Sequence, residues 1–226
     1  MGLPLGDLLP LAVGIAVSPI PIIAVILMLF SPKALVNGVS FALGWVAGLI
    51  LVAIVILALT STVDMGTSSE PNTWVSLLKL LIGLLLLFLA YRNWKQRPSA
   101  DDEVEMPKWM AGIDNFTPMK AFGLAALLSG LNPKNLLLNV SAMMVISLAE
   151  LTGMALIVTL FIYLLLASIT VIVPVVYYLV GGEKAQKTLD SWKTWLSANN
   201  AVVMAVLLLV IGLKLLGDGL GALISG

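Results

Sequence analysis

Leu131-Asn132-Pro133-Lys134-Asn135 interrupts a hydrophobic run that begins near Ala121. A proline, two asparagines and a lysine are out of place in such a run. An ionisable residue near the centre of a bilayer costs roughly 2.5–3.5 kcal/mol on insertion scales, so a buried one reads first as a functional group in need of a partner. The rest of the chain decides whether a bilayer is the right setting.

Of 226 residues, 60% are hydrophobic and 11% charged, and the mean hydropathy is +1.09. Soluble domains run nearer about 45–50% apolar and about 25% charged, so the composition reads as an all-α, multi-pass membrane protein. The chain has no His and no Cys. That excludes disulfides, thiol redox chemistry, zinc sites and His proton relays, and no metal or other cofactor is expected. A net charge of zero leaves no basic footprint for nucleic acid. No nucleotide-binding motif is present either. Without a nucleophile–base pair or an intramembrane carboxylate dyad, the chain is not expected to be an enzyme.

A spanning helix needs roughly 20 apolar residues. Six segments qualify: Leu5–Phe30, Asn37–Thr60, Trp74–Tyr91, Lys120–Ser147, Thr152–Val180 and Ala198–Gly217. The basic residues between spans fall on one side: Lys33 in the first link; Arg92, Lys95, Arg97, Lys108 and Lys120 in the third; Lys184, Lys187 and Lys193 in the fifth. The positive-inside rule then puts those links in the cytoplasm and both termini outside. The fifth link, with Trp192 and Trp195 among its lysines, reads as an amphipathic interfacial helix. The run Asp101-Asp102-Glu103 reads as solvated loop. Lys79 and Lys214 lie near span ends and are expected to snorkel to the interface. Lys134 lies fourteen residues into its span from Lys120, about 21 Å at 1.5 Å per residue and past the midpoint of a roughly 30 Å core.

The first and fourth spans carry matching interruptions. Ser18-Pro19-Ile20-Pro21 breaks one and Asn132-Pro133-Lys134-Asn135 the other, with Pro21 and Pro133 112 residues apart. Three spans per half give the halves opposite orientations. The expected architecture is a 3+3 inverted repeat with proline-broken first and fourth helices. Its parts are a first repeat over residues 1–93, a cytoplasmic loop over 94–119 and a second repeat over 120–226, all in one membrane domain. Pro174 in the fifth span has no counterpart in the second. Proline removes a backbone donor and pushes the preceding residue out of helical geometry. The freed carbonyls cannot face lipid and must line protein or a wet cavity.

Ser129, Asn132, Asn135 and Asn139 recur at helical spacing, with Lys134 about 100° away. Asn132, Lys134, Asn135, Asn139 and Ser18 are the candidate ligand contacts, and Pro19, Pro21 and Pro133 set the breaks. Amides beside one ammonium suit a neutral-polar or anionic ligand better than a metal cation. Simpler readings stand beside this. The prolines kink helices for packing; Lys134 caps freed carbonyls or carries a proton; the asparagines are interhelical glue at about 0.6 kcal/mol each. Ser40, Gly44 and Gly48 form a small-residue line that marks a close helix contact, within one copy or between two.

Pro107-Lys108-Trp109-Met110-Ala111-Gly112-Ile113-Asp114, followed by Thr117-Pro118 and Ala121-Phe122-Gly123, resembles the peptidoglycolipid-addressing (GAP) family. So do Leu131-Asn132-Pro133-Lys134-Asn135-Leu136 and Ser18-Pro19-Ile20-Pro21-Ile22. The resemblance spans nearly the whole chain and extends to the wider lysine-exporter (LysE) superfamily. It implies a six-span bacterial transporter, often oligomeric and possible as a homodimer. It also implies export or flipping of an envelope lipid or glycolipid, or of a small polar solute, with membrane lipids as surroundings. A non-transporting scaffold for a lipid synthesis or export complex, contacted through the Arg92–Met119 loop, is the alternative.

Overall fold

The computed structural model of the chain describes residues 3–62, 73–97, 112–113 and 115–224. Asp64, Glu70, the run Asp101-Asp102-Glu103, Pro107–Met110, Asp114 and most of the 94–119 loop lie outside these residues. Regular structure among the described residues is helical. Its order is α1 (Leu5–Ala16), α2 (Pro19–Leu29), α3 (Ala34–Thr62), α4 (Thr73–Lys95), α5 (Pro118–Gly130) and α6 (Pro133–Leu148). A last helical run, Gly153–Ile224, turns at Gly182. It gives α7 (Gly153–Gly182) and α8 (Lys184–Ile224).

Both expected breaks are present. Ser18 is extended (φ −113, ψ 99) and Pro19 opens α2, so α1 and α2 meet at a 52° bend. Asn132 is likewise extended (φ −63, ψ 123) ahead of Pro133, the first residue of α6. In each case the residue before proline leaves the helical region because the proline ring crowds its backbone. The order of elements in each half is a broken pair followed by two long helices.

Apolar residues lie both outside and inside. Leu43, Leu51, Ile54, Leu84, Phe88, Phe161 and Val210 are exposed on the long helices, whereas Asn37, Lys134, Asn135 and Asn139 are buried within an otherwise apolar core. Such broad apolar exposure fits a surrounding of acyl chains. Four helices are long and apolar enough to cross a membrane, or five spans if the bent α1–α2 pair counts as one. The chain is multi-pass by that measure. The α5–α6 pair does not enter this count. The expected fourth span is instead two helices of 13 and 16 residues, parted at Leu131 and Asn132.

Two small-residue contacts hold the long helices. A Cβ on Gly44 would collide with the Phe122 backbone, and one on Gly48 with the Ala126 carbonyl and the Ser129 hydroxyl. The Ser40–Gly48 line therefore seats α3 against α5 within one copy. Gly83 and Gly212 approach each other in the same way, seating α4 on α8.

The fifth link differs from expectation. Residues from Lys184 are helical, but they run unbroken into the last apolar helix instead of forming a separate interfacial one. No Gly or Pro occurs between Lys184 and Ile211 to stop the helix. The 41 residues of α8 extend about 61 Å at 1.5 Å per residue, about twice the roughly 30 Å apolar core. The stacked rings of Tyr177 and Trp192, 5.9 Å apart, show α8 folding back along α7 after the turn.

Candidate binding site at the helix breaks

The first break frees the carbonyls of Gly14, Ile15 and Ala16, which take new donors, and that of Val17, because Pro21 has no N–H to offer it. The Ser18 N–H turns to the Ala16 carbonyl (2.8 Å) and so abandons Gly14. The Gly14 carbonyl instead accepts from Lys134 Nζ at 2.6 Å. Pro19 has no N–H for the Ile15 carbonyl, which accepts from the Ser18 hydroxyl at 2.7 Å. The Ala16 carbonyl also accepts from the Thr170 hydroxyl of α7.

The second break answers the first. With Asn132 extended, the Leu128 carbonyl accepts from Asn135 Nδ2 at 2.9 Å. Asn132 Oδ1 caps α6 by accepting the Lys134 N–H at 3.1 Å. Lys134 Nζ also donates to Ser18 Oγ at 2.6 Å, and Asn135 Oδ1 lies 3.3 Å from the same oxygen. Side chains of the second break thus satisfy backbone and side-chain groups of the first, although 116–120 residues separate them.

Lys134 is only 3% exposed. Among the described residues it has no carboxylate partner. Its support is electrostatic as well as local, because the carbonyl end of α1 carries partial negative charge that favours a cation. An ammonium has three donors. Two are used, by Gly14 and Ser18, and the ammonium makes no third hydrogen bond among the described residues.

The other expected residues are placed as follows. Pro19 and Pro21 are buried, while Pro133 is exposed at the start of α6. Asn135 joins the Lys134 cluster directly. Asn139, one turn further on, has its own pairing: its Nδ2 donates to the Leu49 carbonyl at 3.1 Å, and its Oδ1 accepts from the Tyr163 hydroxyl at 3.0 Å. Asn132 is engaged as a helix cap. Lys214 pairs with Asp7 at 3.2 Å and Asp218 at 2.7 Å. Sequence reasoning missed Gly14, Thr170 and Tyr163. Thr170 had a signal, since Pro174 four residues later removes the donor that the Thr170 carbonyl would otherwise use. Nothing in the sequence sets Tyr163 apart from other aromatics in an apolar helix.

Two cavities flank this junction. One is an apolar groove of about 360 Å³ lined by Ile22, Thr170, Pro174, Trp192, Trp195 and Leu196, among others. Thr170 belongs to both the groove and the junction. The other, of about 270 Å³, is polar and lies towards the start of α1 and the end of α8.

The family model described as "Sap, sulfolipid-1-addressing protein" matches residues 8–221. No curated protein and no solved structure matches the chain.

Proposed function

The chain belongs to the sulfolipid-1-addressing protein family, and from that premise we propose that it exports or flips an amphiphile of the cell envelope, with the two helix breaks as its central site. The observation that carries this reading is the buried Lys134 ammonium, held by the opposite break with one donor unused. A sulfate, phosphate or sugar oxygen on a lipid head is a fitting acceptor for that donor. The apolar groove beside Thr170 gives an acyl chain a place next to the head.

On this reading α5 and α6 together form a sixth, broken span. The halves form an inverted 3+3 repeat of the lysine-exporter type, in an inner membrane with both termini outside. Alternating access would rock one half against the other about the junction. The hydrogen bonds from Lys134 and Thr170 to α1 are then contacts that break and re-form during the cycle. The chain performs no covalent step.

The experiment is reconstitution into vesicles with a fluorescent sulfated glycolipid, scored by quencher accessibility across the two leaflets. Wild type should scramble or translocate the probe and Lys134→Met should not, with the variant's fold checked by its melting temperature. Equal movement by both proteins defeats the assignment of Lys134.

One observation favours a second reading. The freed carbonyls of Gly14, Ile15 and Ala16 already have donors within the protein, as a static scaffold for a lipid-export complex would require. Protein that moves no lipid yet copurifies with a partner through the Arg92–Met119 loop would establish it.

A further inference from the structure

The second cavity is separate from the junction and has its own chemistry. It lies where α1, α4, α6 and α8 meet, and its polar lining is Asp7, Lys79, Ser141, Lys214 and Asp218. Lys214 sits between two carboxylates, 3.2 Å from Asp7 and 2.7 Å from Asp218. That triad carries one positive and two negative charges and is therefore a net anion. Lys79 faces the same space with no ion pair among the described residues. The cavity as a whole is neutral, with a positive pole at Lys79 and a negative pole at the Asp7–Lys214–Asp218 triad.

A simple anion meets the two carboxylates and a simple cation meets Lys79. A ligand with both charges a few bonds apart satisfies both poles at once. We propose that this cavity is a binding site for a zwitterionic group, with its phosphate or carboxylate on Lys79 and its ammonium on the Asp7 and Asp218 carboxylates. Both a phosphoethanolamine lipid head and a free amino-phosphate solute carry that chemistry. Ser141 is two turns along α6 from Lys134, about 10 Å by helix rise. The site thus lies beside the junction without sharing its hydrogen bonds, and the inference does not depend on the export reading.

The test is calorimetric titration of the purified full chain in detergent with three probes. These are a short-chain phosphatidylethanolamine, a short-chain phosphatidylglycerol, and O-phosphoethanolamine, which has no tails. The ethanolamine lipid should bind about tenfold or more tightly than the glycerol lipid, which keeps the phosphate but lacks the ammonium. Lys79→Gln and Asp7→Asn should each weaken it by about tenfold, and both variants should fold, since Asp7 is exposed and Lys79 is half-buried with no ion pair among the described residues. Binding of O-phosphoethanolamine as tight as that of the lipid supports the site with a soluble ligand. Lipid binding without it supports the site with a lipid head. Glycerol lipid binding at least as tightly as ethanolamine lipid, no binding of either amine-bearing probe, or indifference to both substitutions overturns the proposal.

Discussion

Removing the Lys134 ammonium leaves the buried Gly14 carbonyl without its donor. An unsatisfied buried acceptor costs about 1–3 kcal/mol, partly offset because the buried charge itself is gone. Lys134→Met should therefore fold with a lowered melting temperature. Thr170→Val takes one donor from the Ala16 carbonyl, which keeps its bond from the Ser18 N–H. Its cost should fall in the range of about 0.5–1.5 kcal/mol for an ordinary hydrogen bond. The two variants separate bracing from binding. Both loosen the junction, but only Lys134→Met removes the spare donor, so lipid-stimulated stabilisation should vanish in it and persist in Thr170→Val. Loss in both variants would make Lys134 a brace and nothing more. The sequence marked Lys134 because a charge in an apolar run is conspicuous. It did not mark Thr170, a residue common in apolar helices.

At the scale of the element, prolines and glycines do most of the shaping. Gly182 has φ 52 and ψ −132, a region that L side chains avoid. Gly182→Ala should cost about 1–3 kcal/mol from backbone strain, read as a lower melting temperature and faster proteolysis at the α7–α8 turn. Gly48→Leu should be more damaging. The Ala126 carbonyl and the Ser129 hydroxyl occupy the space a side chain needs, so α3 would have to part from α5. Overpacking of this kind costs about 1–3 kcal/mol or more. Its signature would be a poor yield of folded protein in detergent, and Gly48→Ala should share it to a lesser degree, because its Cβ already meets the Ala126 backbone. Both helix breaks were legible because each proline acts on its immediate neighbour. The length of α8 was not. Its basic, tryptophan-rich stretch has the composition of a helix lying on a membrane, and composition does not say whether the next residues continue the same axis.

The whole molecule joins two broken helices back to back, and two experiments follow at that scale. The chain has no native cysteine, so single cysteines report topology without background. Leu3→Cys should react with an impermeant maleimide in intact cells, and Lys187→Cys only after permeabilisation. The reverse pattern would invert the proposed orientation. A Ser18→Cys, Asn135→Cys pair sits where the two side chains lie 3.3 Å apart. A short thiol-bridging reagent should join the halves and lower lipid movement below that of the same double-cysteine variant left unbridged. Unimpeded movement in the bridged protein would exclude rocking about this junction.

The amino-acid sequence alone determined the multi-pass membrane character, the two interrupted helices and the prominence of Lys134 as a charge in an apolar run. Each follows from local rules: hydropathy over a span, the missing proline N–H, and the cost of a charge among apolar neighbours. Tertiary structure alone decided the partners. Lys134 meets a carbonyl 120 residues away, Lys214 meets Asp7 across 207 residues, and the Gly44–Gly48 line faces α5 within the same copy. Such pairings depend on how closely distant helices pack, and no periodicity within a single helix encodes that distance.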